Sequence, residues 1–355
     1  GSIDIQQRTT NAQYNNILLY LMEPGIVTIT NLKLASDAAP ILFLNATSKD
    51  IRNKMQISNL VFNFETSSGQ SWGLFTNDSS SPEIQIYDEN NAGIIPDDQP
   101  NAGALRITLQ RLGNGADAQL YSSRLIGYSS PEMPFITIQK NRSTRIKITA
   151  KLPIARNVSN EPIKDFPIWP ALWLLGSEAR VGIDWPKCGE IDIMEYASNT
   201  YNISGYSTAI HFFNTSLPLP GFDFSSKFHN LENLGLLQAG YNLVDNFNDF
   251  EVLITRGNSN TENQIDIIFN GINIHTYPGT DENSELFENV DGGDTKYYDL
   301  LFNIAVAGNF NGYPWNGMTT VAERRTRVLT DYPTWTGSSE MIIKNVTVTM
   351  EDIAS

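Results

Sequence analysis

The sequence predicts an all-β protein, a two-sheet antiparallel β-sandwich, and three observations carry that expectation. Short runs of alternating apolar and polar residues recur along most of the 355-residue chain, the period of half-buried strands. Clusters of Gly, Pro, Asn and Asp separate them as turns. Long stretches of helical period are few. The chain is long enough for a large core, and an all-β sandwich of about 200–250 residues can form one domain. Its content, 41% hydrophobic and 18% charged, is that of a globular protein. A net charge of −15 argues against nucleic acid and anionic membrane surfaces as partners and suits a neutral polymer. No run of about 18 apolar residues occurs, so no membrane-spanning helix is expected. The single cysteine, Cys188, excludes an intrachain disulfide. Gly1-Ser2 reads as an expression scar; any native signal peptide would have been cut away with it.

Taken in order, residues 15–22 form an apolar run stopped by Pro24-Gly25, residues 26–34 alternate as a strand does, and residues 41–44 suggest another. Residues 1–56 are therefore read as an N-terminal extension that adds strands to the sandwich or packs on it, and 57–355 as the main domain. Within that domain, strands are expected at 59–65, 103–109 and 145–153. Further strands are expected at 190–195, 248–255 and 341–348, with Trp169 and Trp173 on strands beside the acids. Residues 264–274 contain Asn270-Gly271 between two apolar runs, the signal of a tight hairpin.

The stretch from Trp185 to Tyr196, WPKCGEIDIMEY, organises the rest. Acidic and apolar residues alternate from Glu190 to Ile193, so Glu190 and Asp192 share a face. On a regular strand Glu195 would point the other way. One extra residue, a β-bulge around Met194, would return it to that face. Ile191 and Ile193 would then pack into the core behind a row of three acids. Such a row repels itself, and a chain selected for stability alone would avoid it. Two carboxylates roughly 5–5.5 Å apart, one a nucleophile and one an acid then base, are what glycoside cleavage with retention requires. A middle acid can hold a proton, bond the nucleophile and help keep the acid's pKa high. The pattern alone also fits a solvated acidic strand edge or half of a metal site.

Trp169-Pro-Ala-Leu-Trp173-Leu-Leu-Gly176 followed by WPKCGEIDIMEY resembles glycoside hydrolase family 16, within it the laminarinase-like branch. The resemblance implies a jelly-roll sandwich of the concanavalin A-like kind with an open concave groove. It implies Glu190 as nucleophile, Asp192 as its assistant and Glu195 as acid/base. Weaker likeness extends over about residues 58–350. Glu83, Gln85 and Tyr87 lie in a segment resembling the family's Asn-Glu-Leu-Gln-Tyr-Tyr, with its cleft Asn replaced by Ser81 or Pro82. Arg124 lies in a segment resembling Thr-Ser-x-Arg. Lys147 and Thr149 stand for a Glu and an Arg. His211 matches the family's cleft histidine, whose neutral ring can bond sugar hydroxyls or the acid/base. Asn303 to Gly312 resembles Asn-x-Ala-Val-Gly-Gly-Asn-Trp-x-Gly, with Phe310 at the Trp position and Trp315 close by. Lys344 replaces an Asp through which many relatives bind calcium, so that site is expected to be lost.

The resemblance thus implies sugar contacts at Trp185, His211, Trp169, Arg124, Phe310 and Trp315. Trp185 would stack on a pyranose ring; the alternative, open also for Trp169 and favoured for Trp173, is that it caps the core. His229 and His275 read as surface or structural. No Cys/His grouping has zinc spacing, and no phosphate loop or redox motif occurs, so no metal or cofactor is expected. Cys188 reads as a small buried residue. Sequons at Asn45, Asn77, Asn141, Asn157, Asn202, Asn214 and Asn345 favour a secreted or extracellular protein only mildly. The expected activity is retaining endo-hydrolysis of β-1,3-glucan by a monomer. Mixed-linkage β-glucan or β-galactan as substrate stays open. So does a non-catalytic glucan-binding protein on the same sandwich, although all three acids are present here. Residues 1–56 contain no Trp to stack on sugar, which disfavours a separate carbohydrate-binding module there.

Overall fold

A computed structural model describes residues 83–96, 98–113, 118–127, 136–197, 204–214, 221–237, 242–308, 310 and 320–353, together with the backbone of five short strands ahead of them. Two large sheets face each other. The first has the order Gly221–Asn230, Gly205–Asn214, Glu190–Glu195, Ile168–Gly176, Thr295–Val306, Arg124–Gly127 and Asn63–Phe64. Every neighbouring pair in it is antiparallel. The second runs Ile272–Pro278, Gln264–Phe269, Asn248–Arg256, Arg142–Lys151, Ser338–Asp352, Leu105–Leu112, Gln119–Ser122 and Ile86–Tyr87. Only its last pair is parallel. The protein is a two-sheet β-sandwich, as the sequence predicts.

The core explains the two kinds of strand. Arg142–Lys151 alternates buried and half-buried positions along its whole length, because one face meets the core and the other meets solvent. On the solvent side Lys147 pairs with Asp249 at 2.6 Å and Arg145 with Glu251 at 3.0 Å, while Thr149 donates to Asp249. Lys147 and Thr149 therefore hold neighbouring strands together. Ile168–Gly176 is instead buried almost throughout. Its inner face carries Leu172 and Leu174 into the main core. Its outer face carries Ala171, Trp173 and Leu175 into a second apolar layer with Ile126, Cys188 and Leu301. Each large apolar side chain buried this way contributes roughly 1.5–3 kcal/mol before entropy is counted.

Two features go beyond the sequence reading. Residues 119–127 form two strands, Gln119–Ser122 in the second sheet and Arg124–Gly127 in the first. Leu120 and Leu125 both enter the core. Five residues apart, they cannot do so from one straight strand, so the chain changes sheets at Ser123. A helix, Val321–Asp331, precedes the last strand. Thr320 and Glu323 cap it reciprocally, each side chain bonding the other's backbone N–H. The Asn270-Gly271 hairpin is present, with φ of 49° and 80° at the two residues, the left-handed pair that such a turn needs. In the N-terminal extension the backbone forms Asn16–Leu21 with Ile41–Ala46 and Thr28–Ile29 with Gln56–Ile57, both pairs parallel.

Candidate active site

The acid strand, Glu190–Glu195, lies between Ile168–Gly176 and Gly205–Asn214. Its register breaks where the sequence reading places the bulge. On one side Met194 faces Leu172 and Asp192 faces Trp173, leaving Ile193 over. On the other side Asp192 faces Ala209 and Glu195 faces Ser207, with the same extra residue between them. Ile191, Ile193 and Met194 consequently sit in the main core. Glu190, Asp192 and Glu195 emerge on the opposite face, only 8%, 3% and 9% exposed.

Each acid has its own partner. Trp185 Nε1 donates to Glu190 at 3.1 Å, and Trp169 Nε1 donates to Glu195 at 3.0 Å. His211 Nε2 lies 2.9 Å from Asp192 and 3.7 Å from Glu190. Burial, and after it the charge of Asp192, raises Glu190 to about 8. The same two causes, with Glu190 added, raise Glu195 well above the usual carboxylate range. The sequence reading credits acidic neighbours for such a rise; burial in the sheet is the larger cause. At His211 burial opposes charge, but the bond to Asp192 and the fields of all three acids outweigh it and raise the ring to about 9. These interactions favour an imidazolium at His211, where the sequence reading expects a neutral ring. It stands nearest Asp192 and Glu190, so when one of the two glutamic acids ionises, Glu190 is the one favoured, and Glu195 keeps its proton.

Glu190, Asp192 and His211 place ligand atoms within 4.8 Å of one another. Within that group His211 Nε2 and Asp192 are in hydrogen-bond contact at 2.9 Å.

A brace of buried charge lies behind the row. Lys296 Nζ, wholly buried, donates to Glu178 at 2.8 Å and to the carbonyl of Cys188 at 2.7 Å. Cys188 is two residues before Glu190. Gly176 approaches the same carbonyl so closely that a Cβ there would lie 1.7 Å from it. Trp185 is thereby carried over the acid row by a loop fixed at both ends, with a cis peptide bond to Pro186. The Cys188 thiol is buried and pushed up to about 12, chiefly by that burial, which makes it inert at neutral pH.

The remaining candidates fall into two groups. Trp169, half-buried, stacks on Phe310 at 4.9 Å and 17°, extending the aromatic side of the row. Trp185 is half-buried and lies 5.8 Å from His211, ring to ring. Arg124 is 4% exposed, with its guanidinium 5.3 Å over the Tyr87 ring. Tyr87 donates to Glu83 and accepts from Asn303, which in turn accepts from Trp173. Arg124 therefore supports a polar wall rather than offering its charge outward. Trp315 lies outside the described residues. His229 is structural, bonded to Thr208 in the interior.

No family model matches the chain, and a search of curated proteins finds no match. Solved structures do share the fold. A laminarinase catalytic domain from Thermotoga maritima is 22% identical, covers 83% of this chain and 93% of its own, and has a TM-score of 0.50. An endo-β-1,3-glucanase from Pyrococcus furiosus is 20% identical over 82% and 89%, also at 0.50. Another, from Streptomyces sioyaensis, is 17% identical over 81% and 88%, at 0.51.

Proposed function

We propose that the chain is a retaining endo-hydrolase of β-1,3-glucan of the family 16 laminarinase kind, with Glu190 as nucleophile and Glu195 as acid/base. The observation that carries this reading is the bulged strand that sets three buried acids, Glu190, Asp192 and Glu195, in one row on one face. The names of the structures that share the fold, laminarinase and endo-β-1,3-glucanase, support the substrate class. In the first step Glu190 attacks the anomeric carbon while Glu195 gives its proton to the departing glycosidic oxygen. In the second, Glu195, now ionised, takes a proton from water, and that water displaces Glu190 from the sugar. Asp192, tied to His211, steadies the row between them and discourages loss of the Glu195 proton.

Incubation with laminarin, lichenan and agarose, with sizing of the products, tests the substrate. Early appearance of mixed short oligosaccharides from laminarin is expected. Cleavage of agarose alone would overturn the assignment.

Replacing Glu195 by Gln separates acid from nucleophile. The variant should lose far more activity on laminarin than on an aryl glucoside whose leaving group departs unprotonated. Equal losses on both substrates would contradict the role.

His211 sets the working pH. Its charge lowers both Glu190 and Glu195. Activity needs Glu190 ionised, which sets the acid limb, and Glu195 protonated, which sets the alkaline limb. In His211→Gln both carboxyls lose that opposing charge, so both limbs of the kcat/KM profile should move to higher pH. Limbs that stay in place would show that no cation acts on the row.

A further inference from the structure

We propose that Phe224 and Phe228, on the edge strand of the acid-bearing sheet, form a sugar-binding platform that holds the glucan beyond the reacting bond. This rests on the glycan-hydrolase reading above and adds a place for the chain to go. The strand Gly221–Asn230 pairs with Gly205–Asn214, which pairs with the acid strand. The registers align across both. Glu190 faces His211, which faces Phe224; Glu195 faces Ser207, which faces Phe228; Asp192 faces Ala209, which faces Ser226. Directly opposed residues of a sheet share a face, so all of these lie on the acid side.

The result is a lane running across the strands from the acid row to the sheet edge. Its floor is Ala209 and Ser226, both small. Its two sides are aromatic rings about 13 Å apart along the strand at their Cα atoms. Both rings are large and open to solvent, Phe224 52% and Phe228 41% exposed. Neither hangs loose. Phe224 stacks on His211 at 5.9 Å and 28°. Phe228 lies on Gly205, where an added Cβ would meet the ring at 2.6 Å. Gly205 thus lets the ring lie flat against the sheet. Platforms fixed in this way bind with little ordering cost.

The chemistry points to a neutral ligand with apolar faces. Apart from His211 next to the acid row, no charged residue occupies the acid-side positions of the two outer strands at 205, 207, 209, 224, 226 or 228. Pyranose rings offer C–H faces to aromatic rings and hydroxyls to Ser207 and Ser226. The lane starts at the acid row and lies two strand spacings, about 10 Å, from it, so a chain bound across the row continues into it. The occupant is therefore the polysaccharide itself.

The test is steady-state kinetics on β-1,3-gluco-oligosaccharides of increasing length and on laminarin. Phe228→Ala should raise KM for laminarin about tenfold, leave kcat unchanged, and match wild type on the shortest oligosaccharide cleaved. Ser226→Trp, which fills the lane without removing a ring, should show the same dependence on length. Melting curves check that both variants are folded before their kinetics are compared. Unchanged KM on laminarin, or equal losses at every length, would overturn the platform while leaving the hydrolase reading intact. A wild-type protein that neither cleaves nor binds laminarin would overturn that reading first, and the platform with it.

Discussion

Glu190→Gln should abolish turnover of glucan by several orders of magnitude while the protein stays folded. The amide is nearly isosteric, and its oxygen can still accept from Trp185 Nε1. What it cannot do is attack an anomeric carbon and leave again as a carboxylate. The loss should fall on kcat, because the shape of the site is kept. Folding stability should hold or rise, since Glu190 is buried beside Asp192 and the substitution removes a repelling charge. Glu190→Ala opens the space that the carboxylate occupied. Added azide should then attack from that side and yield a glycosyl azide of inverted configuration. Wild-type turnover in Glu190→Gln would remove Glu190 from the chemistry.

Lys296→Met should cost about 3 kcal/mol of stability, read as a lower denaturation midpoint in urea. Lys296 is wholly buried, and its ammonium serves two acceptors, Glu178 and the Cys188 carbonyl. Burial pulls its pKa below the usual lysine range, with Glu178 opposing that pull. The cation is thus held there at a cost that only its partners offset. Methionine fills the same space but leaves Glu178, 13% exposed at its side chain, charged and unpaired. A second change, Glu178→Gln, should recover much of the loss, because it removes the stranded charge. The single variant should also weaken catalysis, since the Cys188 carbonyl lies at the start of the acid strand. A double variant no more stable than the single one would show that the ion pair is not what holds this loop.

The acid row was legible because its residues carry their own geometry. Strict alternation from Glu190 to Ile193 gives the face, and the five-residue gap to Glu195 demands an extra residue. Trp173 as a buried side chain and the Asn270-Gly271 turn were legible for similar local reasons. Other features were not. The strand Gly221–Asn230 reads Gly-Phe-Asp-Phe-Ser-Ser-Lys-Phe-His-Asn; on the sheet edge few of its positions need be apolar, so its pattern resembles a loop. Phe224 and Phe228 escaped notice with it. The helix Val321–Asp331 left a readable signal, Thr320 three residues before Glu323, but its single buried residue, Val328, gives almost no apolar period. The upward shift at His211 depends first on Asp192, which the fold brings beside it, and no local pattern encodes that.

Two-step displacement through Glu190 is the central claim, and the configuration of the first product tests it most directly. Proton NMR of a fresh laminarin digest reads the anomeric signal before mutarotation scrambles it. The β-anomer of the new reducing end should appear first, with the α-anomer growing in only as the sugar equilibrates. Initial release of the α-anomer would mean a single inverting displacement, and would contradict Glu190 as a nucleophile.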